Sequence, residues 1–143
     1  MILLDATALI ALLTGERAAS AVEAILRHED AAITSANLAE TIDVLVRVFG
    51  FDGDAVDALM VPLLAVNLGV VSIGEEEARR GASVRATHYH RTRMPLSLAD
   101  CLLISTASLL KATIATSDAL LGQVAVRERV EVRKLPAGTR RNG

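Results

Sequence analysis

An α/β fold, a parallel sheet covered by helices on both faces, is what this sequence predicts. Three observations lead there. Short, mostly apolar runs at residues 1–4, 31–34, 70–72 and 113–116 are separated from one another by pairs of helical patterns. Short apolar strands alternating with helices belong to parallel sheets buried on both sides. Of 143 residues, 24 are alanine and only Phe49, Phe51 and Tyr89 are aromatic, which favours close-packed helices over a β-sandwich. The length suits one domain with a core large enough to need no disulfide or metal to fold.

The elements follow in order. Residues 1–4 form a buried strand ending at Asp5. Helices are expected over 7–13 and 16–28, divided at Gly15. A second strand covers 31–34, and Ser35 or Asn37 caps a helix reaching Phe49. The turn from Phe51 to Asp54 leads to a helix over 55–68, with Asp54 as N-cap and Gly69 closing it. A third strand is expected at 70–72, a charge-rich helix at 75–90 and another at 97–110. The fourth strand at 113–116, a short helix at 118–125 and a fifth strand at 130–134 complete the pattern. Residues 1–135 are expected to form the single domain and 136–143 a short basic tail.

Composition excludes several classes. Hydrophobic residues make up 52% of the chain, too many for intrinsic disorder. The longest apolar region, 55–73, is broken by Asp57, Pro62, Asn67 and Gly69, so it is no membrane span. The apolar N-terminus has no basic region before it and is interrupted by Asp5, unlike a signal peptide. Cys101 is alone, and no His/Cys group has zinc spacing. A soluble, cytoplasmic protein with no membrane partner is expected.

Net charge is −2, which by itself does not point to nucleic acid. Residues 79–93, however, hold Arg79, Arg80, Arg85, Arg91 and Arg93 with no acid among them. Such a stretch is either a solvated face or a phosphate footprint. His28, His88 and His90 read most simply as surface residues.

Four carboxylates stand out. Ligands of open parallel sheets bind beyond the carboxyl ends of the strands. Asp5 ends the first strand and Asp118 follows the fourth, although each alone is also an ordinary helix cap. Asp100 has Leu103, Ile104 and Ala107 as its helical neighbours, and a carboxylate in apolar surroundings calls for a partner, a proton or a metal. Ser97 with Asp100 three residues on also fits a capping-box variant. Glu40 lies opposite the apolar stripe Leu38, Ile42, Leu45 and Phe49, so periodicity places it in solvent. Taken together, acid-only oxygen donors select hard cations such as Mg²⁺ or Mn²⁺, which serve phosphodiester hydrolysis. No Gly-rich phosphate loop and no nucleophile elbow is present.

Residues 2–9 (Ile-Leu-Leu-Asp-Ala-Thr-Ala-Leu), 35–40 (Ser-Ala-Asn-Leu-Ala-Glu), 96–103 (Leu-Ser-Leu-Ala-Asp-Cys-Leu-Leu) and 115–120 (Ala-Thr-Ser-Asp-Ala-Leu) resemble, in order, the four motifs of PIN-domain nucleases. The resemblance runs from residue 2 to about 121 and is closest to the VapC toxins of type II toxin–antitoxin systems. Ala6 stands where Thr or Ser is common in that family. The resemblance implies an α/β/α sandwich and one Mg²⁺ or Mn²⁺ site built from Asp5, Glu40, Asp100 and Asp118, with Thr7, Thr116 and Ser117 as hydroxyl supports. It turns Glu40 toward the site. It further implies a ribonuclease that forms a homodimer and is silenced by a cognate VapB-type antitoxin. The five arginines would then contact the RNA backbone.

Other readings compete. A haloacid-dehalogenase-like phosphatase wants an acid where Thr7 stands. A receiver domain wants an Asp at the end of the third strand, where Ser72, Ile73 and Gly74 lie. A PIN-like protein could also bind RNA and antitoxin with little catalysis. Dimerisation has its own motive in the apolar excess, with the helices at 35–49 and 55–68 as candidate contact surfaces.

Overall fold

The computed structural model describes residues 1–138. Residues 139–143, the greater part of the expected basic tail, lie outside the described residues. The elements are β1 (Ile2–Leu4), α1 (Ala6–Thr14), α2 (Ala19–His28), β2 (Ala31–Thr34), α3 (Ser35–Arg47), α4 (Gly53–Val66), β3 (Gly69–Val71), α5 (Glu75–His88), α6 (Leu98–Leu110), β4 (Thr113–Thr116), α7 (Ala119–Arg127) and β5 (Val132–Lys134).

All strand pairs are parallel, in the order β3-β2-β1-β4-β5. Successive side chains alternate between faces. Leu4 and Ile33 enter a core shared with Leu9 of α1, Val22 of α2, Leu45 of α3 and Met60 of α4. Leu3 and Ile114 enter the opposite core, with Val84 of α5, Leu103 and Ile104 of α6, and Leu121 and Val124 of α7. The result is the expected three-layer α/β/α sandwich. The chain winds outward from β1 through β2 to β3, then returns to β4 on the other side of β1. That reversal opens a crevice at the carboxyl ends of β1 and β4.

Helices α5 and α6 meet with almost no space between them. A Cβ added at Gly81 would stand 2.8 Å from Leu102 Cδ2 and 3.2 Å from Leu102 Cα. Ser97 begins α6 as its N-cap, its Oγ accepting from the Asp100 N–H at 3.0 Å.

Several details depart from the sequence reading. Thr34, not Ser35 or Asn37, caps α3, accepting from the Asn37 N–H at 3.0 Å. Helix α3 ends at Arg47, and its buried positions are Asn37, Thr41 and Leu45. Ile42 and Phe49, expected in the core stripe, are exposed. The inward stripe of this helix is largely polar, so apolar periodicity picks out the stripe beside it. Asp52 rather than Asp54 caps α4, accepting from the Ala55 N–H at 2.8 Å. Gly69 does not close α4; it opens β3 and pairs with Ala32, while Asn67 ends the helix by donating to the Leu63 carbonyl. The charged helix stops at His88, two residues early, and His90 starts a turn. No helix among the described residues is long and apolar enough to cross a membrane.

Candidate functional site

Asp5 lies where β1 gives way to α1, in the crevice beside β4. The chain needs an N-cap there, and Asp5 Oδ1 accepts from the Ala8 N–H at 2.9 Å. The residue is 2% exposed. Thr7 Oγ1 stands 2.8 Å from both carboxylate oxygens, and Thr116 Oγ1, from the neighbouring strand end, donates to Oδ2 at 2.5 Å. Burial pushes the Asp5 carboxyl up to about 6 from its ordinary 3.8. The hydrogen bonds pull the other way, and the Asp100 charge adds to the rise.

Asp118 caps α7, its Oδ1 accepting from the Leu120 and Leu121 N–H groups at 2.9 and 3.2 Å. Its own N–H donates to Thr116 Oγ1 at 2.9 Å. Thr116 therefore links Asp5 to the loop that holds Asp118. Ser117 Oγ lies 3.2 Å from Thr7 Oγ1, closing the same ring of hydroxyls.

Asp100 sits in the first turn of α6. Burial raises its carboxyl above the ordinary range, and the Asp118 charge adds to this. Glu40, on α3, is half-buried rather than solvated. Burial raises it first, then the charge of Asp100 and, less strongly, that of Asp5. Asp5, Glu40 and Asp100 each feel the charge of another of these acids, although the residues come from separate segments.

Sequence reasoning missed the residues that aim Glu40. Asn37 is fully buried, and its Nδ2 donates to Glu40 Oε2 at 3.3 Å. Thr34 Oγ1 in turn donates to Asn37 Oδ1 at 3.0 Å. The available signal was Asn37 itself, a polar residue one helical turn before Glu40.

The arginines are dispersed. Arg79 and Arg80 pair with Glu75 and Glu76 one turn back on α5, at 3.0 and 3.1 Å. Arg85 lies 4.4 Å over the Tyr89 ring and donates to the Leu96 carbonyl. Arg91 and Arg93 are exposed in the turn between α5 and α6. Within that turn His90 Nδ1 accepts from the Thr92 and Arg93 N–H groups. His88 is bonded to Glu128 at 2.7 Å and is mostly covered, so neither it nor His90 is a simple surface residue.

The donor set suits a hard divalent cation. It consists of four carboxylates backed by hydroxyls, with no nitrogen or sulfur. Among the described residues none of the four acids forms an ion pair. Three of them are raised by burial and by one another, so a cation would relieve the pocket. Among the described residues no three acids, histidines or cysteines stand close enough together to hold a metal ion. Mg²⁺ takes one or two carboxylates and fills its remaining positions with water and phosphate, so two of these acids with water suffice.

An open parallel sheet with Asp5 and Asp118 at the carboxyl ends of two neighbouring strands, beside its topological switch point, defines a doubly wound α/β domain. The chain belongs to the PIN domain family, whose model matches residues 2–127. PIN domains are generally nucleases and typically use divalent metals. No curated protein matches the chain. Among solved structures, FitAcB from Neisseria gonorrhoeae is similar at 24% identity, over 92% of this chain and 96% of that one, with a TM-score of 0.64. VapBC2 from Rickettsia felis, bound to a DNA fragment from its promoter, is similar at 15% identity, over 95% and 100%, with a TM-score of 0.67. VapBC-1 from nontypeable Haemophilus influenzae is similar at 19% identity, over 94% and 98%, with a TM-score of 0.66. These likenesses are of fold.

Proposed function

We propose that this chain is the toxin of a VapBC-type toxin–antitoxin pair, a cytoplasmic Mg²⁺- or Mn²⁺-dependent ribonuclease that hydrolyses RNA phosphodiester bonds. The observation that supports the reading is a PIN domain in which Asp5 is buried beside the end of β4, bonded to Thr116, while Asp5, Glu40 and Asp100 are each raised by burial and by the charge of another of the four acids. The fold likeness to FitAcB, VapBC2 and VapBC-1 supports a VapB-type antitoxin as partner.

In this reading Asp5, Glu40 and Asp100 hold the cation, directly or through water, and Asp118 completes the site or orients a water. When bound, the ion neutralises charge developing on the phosphate and makes a water more acidic. Thr7 and Thr116 fix the oxygens of Asp5, Ser117 supports Thr7, and Asn37 fixes Glu40. Arg91 and Arg93 contact the RNA backbone most freely, and Arg79, Arg80 and Arg85 do so from α5. Exposed Ile42 and Val46 of α3, Phe49 beyond it and Val61 of α4 form the homodimer face.

The test is cleavage of a mixed cellular RNA pool by antitoxin-free protein without metal, with Mg²⁺ and with Mn²⁺, beside an Asp100→Asn control purified alike. The expected result is metal-dependent cleavage lost in the control. Cleavage retained in the control refutes the site. RNA bound but left uncut under every condition makes the chain a binding protein instead.

A further inference from the structure

A concavity opens beside the candidate site. It is a cleft of about 590 Å³ between α7 and β5, and its near end is formed by Thr116, Ser117 and Asp118. The cleft therefore begins at one of the four acids and at Thr116, which is bonded to a second, Asp5. From the geometry we infer that this cleft is a nucleobase pocket, which receives the nucleotide next to the scissile phosphate of a single-stranded RNA and selects its base. The inference rests on the ribonuclease reading for its substrate.

The walls suit a base. Val126, Val132 and Leu135 offer aliphatic surface, and at Gly122 the lining is bare backbone. A cleft of this volume lies within the range that encloses a small organic ligand, and a base with its ribose fits inside it. The polar groups are few and well placed. Gln123 presents an exposed amide with donors and an acceptor, the pairing groups that read a base edge. Arg127 and Lys134 line the same cleft, and neither forms an ion pair among the described residues. Their charge is free for a flanking phosphate, and the Arg127 plane can stack on a base. A stacked duplex cannot enter such a cleft, so the RNA must present an unstacked base.

Two measurements test this on the full chain. In the first, AMP, GMP, CMP and UMP are titrated separately into the protein and followed by amide NMR. One base should bind at least about threefold more tightly than the weakest, with shifts at Gly122, Gln123, Val126 and Val132. Val126→Trp, at a position 62% exposed and so tolerant of bulk, should abolish these shifts by filling the cleft. In the second, cut ends from a randomised single-stranded RNA are sequenced for the wild type, Gln123→Ala and Val126→Trp. Base preference at one position beside the cut should weaken by about threefold or more in both variants. Nucleotide binding at α7 and β5 without RNA cleavage would sink the ribonuclease reading and leave the pocket standing. Cleavage with the same base preference in all three proteins would overturn the pocket and leave the ribonuclease standing. Nucleotides that leave α7 and β5 unmoved, while an antitoxin peptide shifts them, would also overturn it.

Discussion

Replacing Asp5 by Asn removes a buried charge and so should stabilise the metal-free protein above neutral pH. The magnitude follows from its titration. The carboxyl titrates near 3.8 when exposed and at about 6 when folded, a gap worth about 3 kcal/mol. Its sign is destabilising. As pH rises, the unfolded chain gives up this proton first, so native stability is greatest below 4 and falls until the folded group has also ionised. At pH 5 about 1.6 kcal/mol of the penalty is already present, and by pH 7.5 nearly all of it. The substitution has an opposing cost. The carboxylate accepts from Thr7, Thr116 and Ala8, and an amide supplies only one oxygen, which loses about 0.5–1.5 kcal/mol at any pH. The advantage of Asp5→Asn over wild type should therefore grow by about 1.4 kcal/mol between pH 5 and pH 7.5. Relief of the Asp5 charge on Glu40 acts in the same direction. Urea denaturation of both proteins at the two pH values, with a chelator present, measures this difference. An advantage that is flat or shrinking with pH would refute the reasoning, because Asp5 would then not be titrating as a buried, raised carboxyl.

Three further outcomes are expected. Gly81→Ala should lose about 1–3 kcal/mol in urea unfolding even though Ala is the better helix former, because its Cβ would meet the backbone of α6; an unchanged midpoint would show that the helices part freely. Asn37→Ala should lose about 1–3 kcal/mol by breaking the buried chain from Thr34, and should raise the Glu40 carboxyl further, as read by NMR titration; an unmoved Glu40 would mean that Asn37 does not hold it. Val46→Glu should convert a homodimer to a monomer in sedimentation equilibrium at about 10 μM protein, whereas a wild-type monomer there would remove α3 from any homodimer face.

The first four strands were legible because each is a short, mostly apolar run, as at Ile2–Leu4 before Asp5, whereas β5 (Val132–Lys134) carries two charges in three residues. Helix α6 was legible to the residue at its start, because Ser97 is a strong N-cap placed just before an apolar run. Helix α3 was legible in extent but not in orientation. Its inward face carries Asn37 and Thr41, and hydrophobic periodicity cannot detect a face that is buried but polar. The same error sent Glu40 to solvent. Only the resemblance of residues 35–40 to a PIN motif turned it back. Thr116 as a bridge between two acids was beyond periodicity altogether, since it depends on β1 and β4 being neighbours across 111 residues of chain.

That bridge has a consequence in time. Asp5 is synthesised 111 residues before Thr116 and 113 before Asp118. At roughly 5–20 residues per second, Asp5 waits on the order of 6–20 s before its partners exist. Contacts so distant in sequence are also late to form, because a long loop must close first. No N-terminal fragment ending before β4 can assemble the four acids. A growing chain that has not yet reached β4 and Asp118 therefore carries no complete site, and whatever hydrolysis the fold performs begins only once β4 has joined the sheet.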